Sequence, residues 1–249
     1  MRVAIINPTT TAAFAAKNLE AGQRVAAAGT EILSVTAANG PPSIEDHLDE
    51  VVAAVATVEE IQRLEPQGVN AYVIACFGDP GIWAAREITK APVIGIAEAA
   101  FHAATIVATH FSVVTTLGRT RVMCEHLLHI FGFAHRCRRI RAVEVEVLAL
   151  EDTGLATFHA IEAECRKALA EDDSDTLILG CAGMADLSVR LQERLGIPVI
   201  DGVASAVKLV ESLVALGYGT SKRGDLAVPL PKTYSGRFAA LSPIRASQR

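Results

Sequence analysis

The stretches "VIACFGDPG" (73–81) and "LILGCAGMA" (177–185) share one pattern: a short apolar run, a cysteine and then small or turn-forming residues that include glycine. Each leads through a helical stretch to "PVI", with Pro92 sixteen residues after Cys76 and Pro198 seventeen after Cys181. The openings "VAIINPTT" (3–10) and "VVTTLGRT" (113–120) also match loosely. We infer an internal duplication with a period near 105 residues, which is far too long for a solenoid repeat.

Apolar strand-like segments alternate with helical ones along the whole chain. The pattern predicts strands at 2–7, 30–35, 70–76, 92–96, 111–116, 142–150, 175–181 and 198–201. Ser43 with Asp46 resembles a capping box, with Asp in place of Glu, at the start of a helix that reaches Leu64. Helices between strands predict parallel sheets covered on both faces.

The duplication and this alternation together predict an α/β fold with two similar Rossmann-like lobes, related by a pseudo-twofold axis. The first lobe is expected to comprise 1–97 plus about 205–249, and the second 98–204. In such sheets ligands bind beyond the carboxyl ends of the strands. The active site is therefore expected in the cleft between the lobes.

Composition excludes several classes of protein. The net charge is −5, which argues against a nucleic-acid partner, and the basic cluster "HRCRRIR" (135–141) is interpreted as a solvated edge or loop rather than an anion site. No apolar run approaches the ~18 residues of a membrane span. The first residues, "MRVAIINPTTT", read as a strand and turn and not as a signal peptide, so a cytoplasmic location is expected.

Five cysteines without CxxC spacing disfavour both a disulfide scaffold and a zinc cluster. Cys124, Cys137 and Cys165 lack the duplicated setting and are interpreted as structural. His126 and His129 are spaced as metal ligands can be, but with no third ligand nearby they are expected to be surface or interface residues. Neither a metal nor a cofactor is predicted.

Cys76 and Cys181 are both predicted to lie at carboxyl ends of strands. Gly78 and Gly183 would let the backbone approach a ligand, and the helices that follow would lower the pKa of each thiol towards neutrality. Two thiols facing one carbon can remove a proton from one face and return one to the other, which is cofactor-independent racemisation. A pair of small core residues and a redox pair remain as alternatives.

The chain resembles the aspartate/glutamate/hydantoin racemase superfamily, and most closely its hydantoin and allantoin racemases. The resemblance covers nearly the whole chain and is carried by "INPTT" (6–10), "PPSIEDHLDE" (41–50), "ACFGDPG" (75–81), "PVIGIAEAA" (92–100), "VVTTLGRT" (113–120), "LGCAGM" (179–184), "PVIDGVASAVK" (198–208) and "TSKRGDLA" (220–227). The family commonly has Asn-Pro-Asn-Thr-Ser at its first loop, whereas this chain has "NPTTT", with Thr9 in place of the second Asn.

The resemblance implies that Cys76 and Cys181 are the two catalytic bases and that the substrate is a small cyclic ureide, either allantoin or a hydantoin derived from an amino acid. It further implies a substrate pocket formed by Asn7, Ser43, Ile44, Phe77, Gly78, Thr115, Thr116, Arg119, Ala182 and Gly183. Phe77, Gly78, Ala182 and Gly183 would offer backbone N–H groups to the hydantoin carbonyls.

Three other functions remain open at this stage. An aspartate or glutamate racemase would need a cation for the side-chain carboxylate, and Arg119 is the only candidate close to a motif. A lyase such as an arylmalonate decarboxylase keeps a single cysteine in this superfamily, so the pair disfavours it. A non-catalytic ligand-binding protein would have no use for paired cysteines. Apolar residues in 119–132 and 204–216 also lead us to expect a homo-oligomer.

Overall fold

Two four-stranded parallel sheets form the centre of the protein in a computed structural model that describes residues 1–151 and 154–243. The first sheet has the order β2-β1-β3-β4 and the second the order β6-β5-β7-β8. The strands are β1 Arg2–Asn7, β2 Glu31–Thr36, β3 Ala71–Ile74, β4 Val93–Gly95, β5 Phe111–Thr115, β6 Cys137–Ala142, β7 Thr176–Leu179 and β8 Val199–Ile200. The same strand order in both sheets confirms the α/β fold with two similar lobes.

Helices connect the strands and cover the sheets. They are α1 Ala12–Val25, α2 His47–Leu64, α3 Ile82–Ile88, α4 Ile96–Val107, α5 Arg121–Ile130, α6 Leu155–Glu171, α7 Ser188–Leu195 and α8 Gly202–Ala215. Short 3₁₀ helices lie at Glu65–Gln67, Gly118–Thr120, Val147–Leu150, Ala182–Leu187, Gly224–Leu226 and Gly236–Leu241. None of the helices in the described part of the chain is long and apolar enough to cross a membrane.

Helices α4 and α8 pack against each other at the centre of the molecule. Their N-termini approach so closely that a Cβ at Gly202 would lie 2.5 Å from the carbonyl oxygen of Ile96. Helix α8 follows the second sheet but packs on β1, β3 and β4, while α4 follows the first sheet and contacts β7 and β8. Each of these two helices thus packs on the sheet that it does not follow in sequence, as lobe boundaries near 97/98 and 204/205 would require. The boundaries themselves stay a prediction.

The strand predicted at 142–150 is wrong. The strand at this edge is β6, Cys137–Ala142, inside the basic cluster, and Val147–Leu150 forms a 3₁₀ helix. Arg141 can lie buried on a strand because the carboxylates of Glu164, Glu171 and Asp172 pair with it at 2.5–3.1 Å. Those partners are remote in sequence, whereas the alternating valines after Ala142 are a local pattern that imitates a strand.

The N-terminus of α2 is capped by Asp46, so the capping box predicted from Ser43 is also wrong. Asp46 Oδ1 accepts hydrogen bonds from the backbone N–H groups of Leu48 and Asp49, both at 3.0 Å. The helix consequently begins at His47, and Ser43 lies buried in the loop before it. A single Asp at the N-cap position satisfies the first free amides without a partner three residues earlier.

A carboxylate caps each of the two central helices, α4 and α8, but the two carboxylates come from non-equivalent positions. In the first lobe Asp79, in the loop after Cys76, accepts from Ala97 N and Glu98 N at 3.0 Å. Strand pairing makes Gly95 of β4 equivalent to Asp201 after β8. Asp201 caps α8 from that position by accepting from Val203 N at 2.8 Å. A Cβ at Gly95 would lie 1.9 Å from Asp79 Cγ, so the first lobe has no room for a side chain there.

Burial of these two caps makes the stability of the fold dependent on pH. Burial raises the pKa of Asp79 from 3.8 to about 7 and that of Asp201 to about 6, against the opposing effect of the backbone N–H groups. In this window these two carboxyl groups bind more protons in the folded state than in the unfolded state, so their contribution to stability is fully present below pH 3.8 and is lost as the pH rises towards 7. Carboxylates with lowered pKa values, such as Asp172, contribute with the opposite sign, so the effect of the caps has to be measured against variants.

The variant Asp79→Asn removes the titrating carboxyl group and keeps a side-chain carbonyl oxygen that can accept a hydrogen bond from the N-terminus of α4. Relative to this variant, the native chain should therefore lose free energy of unfolding, measured in urea, as the pH rises from about 4 to 7. Asp201→Asn is the matched control, and its effect should be confined to the lower part of the window because the pKa of Asp201 is raised less. Parallel stability curves for the native chain and Asp79→Asn would contradict this assignment.

Candidate active site

Cys76 and Cys181 line the same cavity, which lies between the carboxyl ends of the two sheets. Each cysteine follows its strand by two residues, Cys76 after β3 and Cys181 after β7. The cavity is narrow, with a volume of about 60 Å³. Its lining includes ten of the twelve residues predicted for the site, namely Asn7, Ile44, Cys76, Phe77, Gly78, Thr115, Thr116, Cys181, Ala182 and Gly183. Their common location supports the predicted site, while the role of each residue stays a prediction.

Each cysteine loop is covered by a helix of the opposite lobe. Phe14 on α1 packs over the second loop, where a Cβ at Gly183 would lie 3.3 Å from its ring. Met123 on α5 packs over the first loop, where a Cβ at Gly78 would lie 3.4 Å from its methyl group. Both side chains line the cavity. The lobes therefore close the site reciprocally, as a pseudo-twofold arrangement requires.

Burial raises the pKa of both thiols, so the expectation that they would be lowered towards neutrality is wrong. The pKa of Cys181 is raised to about 11 by burial, against the lowering effects of the Gly183 N–H and Lys17. The pKa of Cys76 is raised further by burial, although the Gly78 N–H opposes this, and Cys181, Asp79 and Glu50 add to the rise. Helix α3 begins only at Ile82, too far along the chain to lower the pKa of Cys76 as expected.

The amides of Gly78 and Gly183 serve the sulfur atoms in this structure. Gly78 N donates to Cys76 Sγ at 3.5 Å, and Gly183 N makes the equivalent bond to Cys181. A hydrogen bond to sulfur favours the thiolate form. The resemblance predicts that these amides face a substrate carbonyl, whereas in the structure they donate to the cysteine sulfur atoms.

The polar side chains at the ends of β1 and β5 organise the loops around the cavity. Asn7 Oδ1 accepts from the Thr9 hydroxyl at 2.9 Å, and Asn7 Nδ2 donates to the carbonyl of Thr11 at 2.9 Å. The Thr9 hydroxyl therefore forms a hydrogen bond at the position where the family commonly has an asparagine side chain. In the second lobe Thr115 donates to the carbonyl of Gly180, the residue before Cys181, at 3.1 Å.

Ser43 and Arg119 are the two predicted site residues that the structure does not place among the lining residues. Arg119 is exposed and pairs with Asp46 of the first lobe at 3.4 Å. Beside it, Glu45 accepts from Val147 N of the second lobe at 2.9 Å. These contacts join the two lobes across the loop that carries Ile44.

Sequence reasoning missed several lining residues. They are Phe14, Ala75, Thr120, Met123, Cys124, Val147 and Gly180, and Thr9 lines the cavity as well. The sequence shows that α1 and α5 each have an apolar face. It does not show which lobe each face contacts. Cys124 lies on such a face, buried in a core cluster to which both lobes contribute.

No group of three or more His, Cys, Asp or Glu side chains within residues 1–151 and 154–243 is arranged to hold a metal ion. His126 and His129 are exposed on α5, and His129 contacts the carbonyl of Glu125. Independence from metals and cofactors stays a prediction for experiment.

A model of the Asp/Glu/hydantoin racemase family matches residues 3–210 of this sequence. The chain belongs to this family. A hydantoin racemase of Rhizobium meliloti is 43% identical over 236 residues, which are 95% of this chain and 98% of that protein. An allantoin racemase structure from Klebsiella pneumoniae is 52% identical, has a TM-score of 0.96, and the match covers 98% of this chain and 100% of that one.

A crystal structure of arylmalonate decarboxylase has the same fold at a lower level of similarity. It is 16% identical, has a TM-score of 0.63, and the match covers 91% of this chain and 97% of that one. This likeness supports the two-lobed architecture alone. Family membership therefore confirms the resemblance on which the predicted residues depended.

Proposed function

We propose that this member of the family racemises 5-substituted hydantoins, either allantoin or hydantoins derived from amino acids, with Cys76 and Cys181 as the two bases. The observation that carries the proposal is the placement of two thiols at equivalent strand ends around one cavity. Relatives named as hydantoin and allantoin racemases support the choice of substrate class. Because both kinds of relative are similar to this chain, the substituent at C5 of the substrate is either a ureido group, as in allantoin, or an alkyl or aryl group.

The chemistry of the ring suits the pair of thiols. The C5 carbon of a hydantoin lies between a carbonyl and an amide nitrogen, so its proton is more acidic than that of a free amino acid. One thiolate removes this proton, and the thiol on the other face supplies a proton to the carbanion. Because burial raises the pKa of both cysteines, each thiolate is a strong base once it forms.

The negative charge that develops on the ring oxygens needs hydrogen-bond donors. The backbone N–H groups of Phe77 and Ala182 are our candidates, since each stands between a cysteine and the glycine that serves its sulfur. Asn7 and Thr115 act by holding the loops in place. Ile44 and Thr116 would contact the ring or its substituent as lining residues.

An amino-acid racemase is the second candidate, and the lining of the cavity disfavours it. The lining residues in the described chain include no Lys, Arg, Asp or Glu, so a substrate's ammonium and carboxylate groups would be desolvated without a partner. Arg119, the one cation expected there, pairs with Asp46 instead. A neutral ring fits this surface better.

Polarimetry of single hydantoin enantiomers tests the proposal directly. A loss of optical rotation with no change in mass is expected from either enantiomer, and it should persist after prolonged treatment with a chelator. Thiol alkylation should abolish it, because the reaction uses the cysteines and no metal. A decarboxylation product would indicate a lyase, and unchanged rotation a binding protein. Activity lost to a chelator and restored by added metal would contradict the two-thiol mechanism.

We further propose that the protein is a cytoplasmic homo-oligomer. Of the two predicted faces, that of α8 is largely buried within the chain, since α8 packs on α1, α4 and the first sheet. In 119–132, Val122 and Ile130 are exposed. Better support comes from α2, where Leu48 and Val51 are 73% and 65% exposed. Light scattering at micromolar concentration decides between a monomer and an oligomer.

A further inference from the structure

Lys17 on α1 joins the first lobe to the loop that carries Cys181. Its Nζ donates to the carbonyl oxygen of Leu150 at 2.7 Å and to Asp186 Oδ2 at 3.2 Å, and its side chain is only 15% exposed. Both partners belong to the second lobe. Lys17 lies one helical turn after Phe14, which lines the cavity, so the ammonium group is held just behind the cavity wall.

These two partners of Lys17 lie in or against the loop that carries Cys181. Asp186 belongs to the 3₁₀ helix that begins directly after this cysteine. Leu150 packs on the same loop, where a Cβ at Gly183 would lie 3.0 Å from Leu150 Cβ. Gly183 in turn donates its N–H to the sulfur of Cys181. The contacts of Lys17 therefore act on the backbone that sets the position of the thiol.

Among the residues that the structure describes, the first lobe has no equivalent arrangement around Cys76. Met123 covers Gly78 as Phe14 covers Gly183, and the residue three positions after Met123 is the exposed His126. The charged or ionisable groups that act on Cys76 are Cys181, Asp79 and Glu50, and all three disfavour its thiolate. On Cys181 the cation of Lys17 favours the thiolate, with Glu45 opposing it. The two halves of a duplicated site are thus electrostatically unequal.

We propose that Lys17 is a positioning residue that makes Cys181, and not Cys76, the thiol that loses its proton first, so that the thiolate that begins the reaction forms at Cys181. The proposal rests on the proposed function and deepens it. For the enantiomer whose C5 proton faces Cys181, that proton moves to the Cys181 thiolate, and the Cys76 thiol gives its proton to the opposite face of C5. The enzyme then carries a thiol at Cys181 and a thiolate at Cys76, and the starting form is restored when Cys181 loses a proton to solvent and Cys76 gains one.

The test measures thiolate formation without any hydantoin, so its result is independent of the substrate assignment. Ultraviolet absorbance of the thiolate is followed against pH in Cys76→Ser, which keeps Cys181, and in Cys181→Ser, which keeps Cys76. The double serine variant provides the baseline for tyrosine and the other cysteines. We expect the Cys181 thiolate to form at lower pH than the Cys76 thiolate.

Substitutions at position 17 then separate charge from packing. Lys17→Met in the Cys76→Ser background should move thiolate formation at Cys181 up by about half a pH unit, which is about threefold less thiolate at a fixed pH. Lys17→Arg should restore it, and Lys17→Met should leave the Cys76 thiolate in Cys181→Ser unchanged. Circular dichroism of each variant establishes that it is folded.

Asp186→Asn is the discriminating control, because it removes the carboxylate partner and leaves the cation. If the charge of Lys17 acts on Cys181, this variant keeps the native pH of thiolate formation or lowers it. If Lys17 is only half of a structural ion pair, Asp186→Asn raises that pH as Lys17→Met does, and the proposal fails. It also fails if Cys76 ionises at lower pH than Cys181, or if Lys17→Met has no effect on Cys181.

Discussion

Cys76→Ser and Cys181→Ser are each expected to abolish racemisation while the fold stays intact. Serine keeps nearly the same volume, but its hydroxyl is a far weaker acid than a thiol and cannot act as the second base. We expect each variant to retain less than about 1% of native activity, since loss of an acid–base group costs on the order of 100-fold or more. Cys165→Ala, which alters a buried thiol of α6 outside the cavity, should retain activity.

Proton exchange in heavy water tests the two-sided geometry more sharply than activity does. In a single serine variant the remaining cysteine can still remove the proton that faces it, but no acid stands on the other face. One enantiomer should then gain deuterium at C5 without losing optical activity, while the other does not react. The opposite variant should show the opposite preference when C5 exchange is followed by NMR.

Two outcomes would overturn the two-base mechanism. The first is racemisation at more than a few per cent of the native rate in either serine variant. The second is equal exchange of both enantiomers in one variant, which would mean that one base serves both faces. Slow exchange alone is compatible with the mechanism, because the substitution also removes the sulfur that the neighbouring glycine N–H contacts.

Gly95→Ala is expected to be the most destabilising single-methyl change in the first lobe. The new Cβ would lie 1.9 Å from Asp79 Cγ, so the carboxylate must leave the N-terminus of α4. Loss of a cap and crowding in a packed site together cost about 2–4 kcal/mol. Urea unfolding should show the loss as a lower midpoint, and activity should fall with it because Asp79 belongs to the Cys76 loop.

Gly154→Ala is the matched control for this prediction. No atom of residues 1–151 or 154–243 lies within 4 Å of a Cβ at Gly154, which is the N-cap of α6 and has a φ of −66°. Alanine there should change the free energy of unfolding by less than about 1 kcal/mol. Equal effects of the two substitutions would show that the contact between Gly95 and Asp79 contributes little to stability.

Local patterns and the duplication were enough to predict the fold. Both cysteines were placed at strand ends because an apolar run followed by small residues is a local signal that occurs twice. β6 was missed because Arg141 becomes a buried strand residue only through carboxylates brought by α6. Such compensation depends on residues distant in sequence, and no local pattern carries it.

The site could be predicted only in part for a similar reason. Residues next to the cysteines were found with them, whereas Phe14 and Met123 reach the cavity from the opposite lobe. The thiol pKa values were predicted in the wrong direction because helix position was considered and burial was not. The degree of burial of Cys76 and Cys181 depends on how tightly the two lobes close, which the sequence of either loop does not reveal.

Asp79 and Asp201, which cap α4 and α8, occupy non-equivalent positions of the two halves. This difference constrains how the halves could have diverged from a common ancestor. Positions 79 and 95 of the first lobe hold Asp and Gly, and their counterparts 184 and 201 hold Met and Asp. A single substitution that converts one arrangement towards the other creates either two crowded carboxylates or an uncapped helix. At least one half therefore passed through an unfavourable intermediate or changed both positions together, and chimeras that cross over between these positions inherit the same conflict.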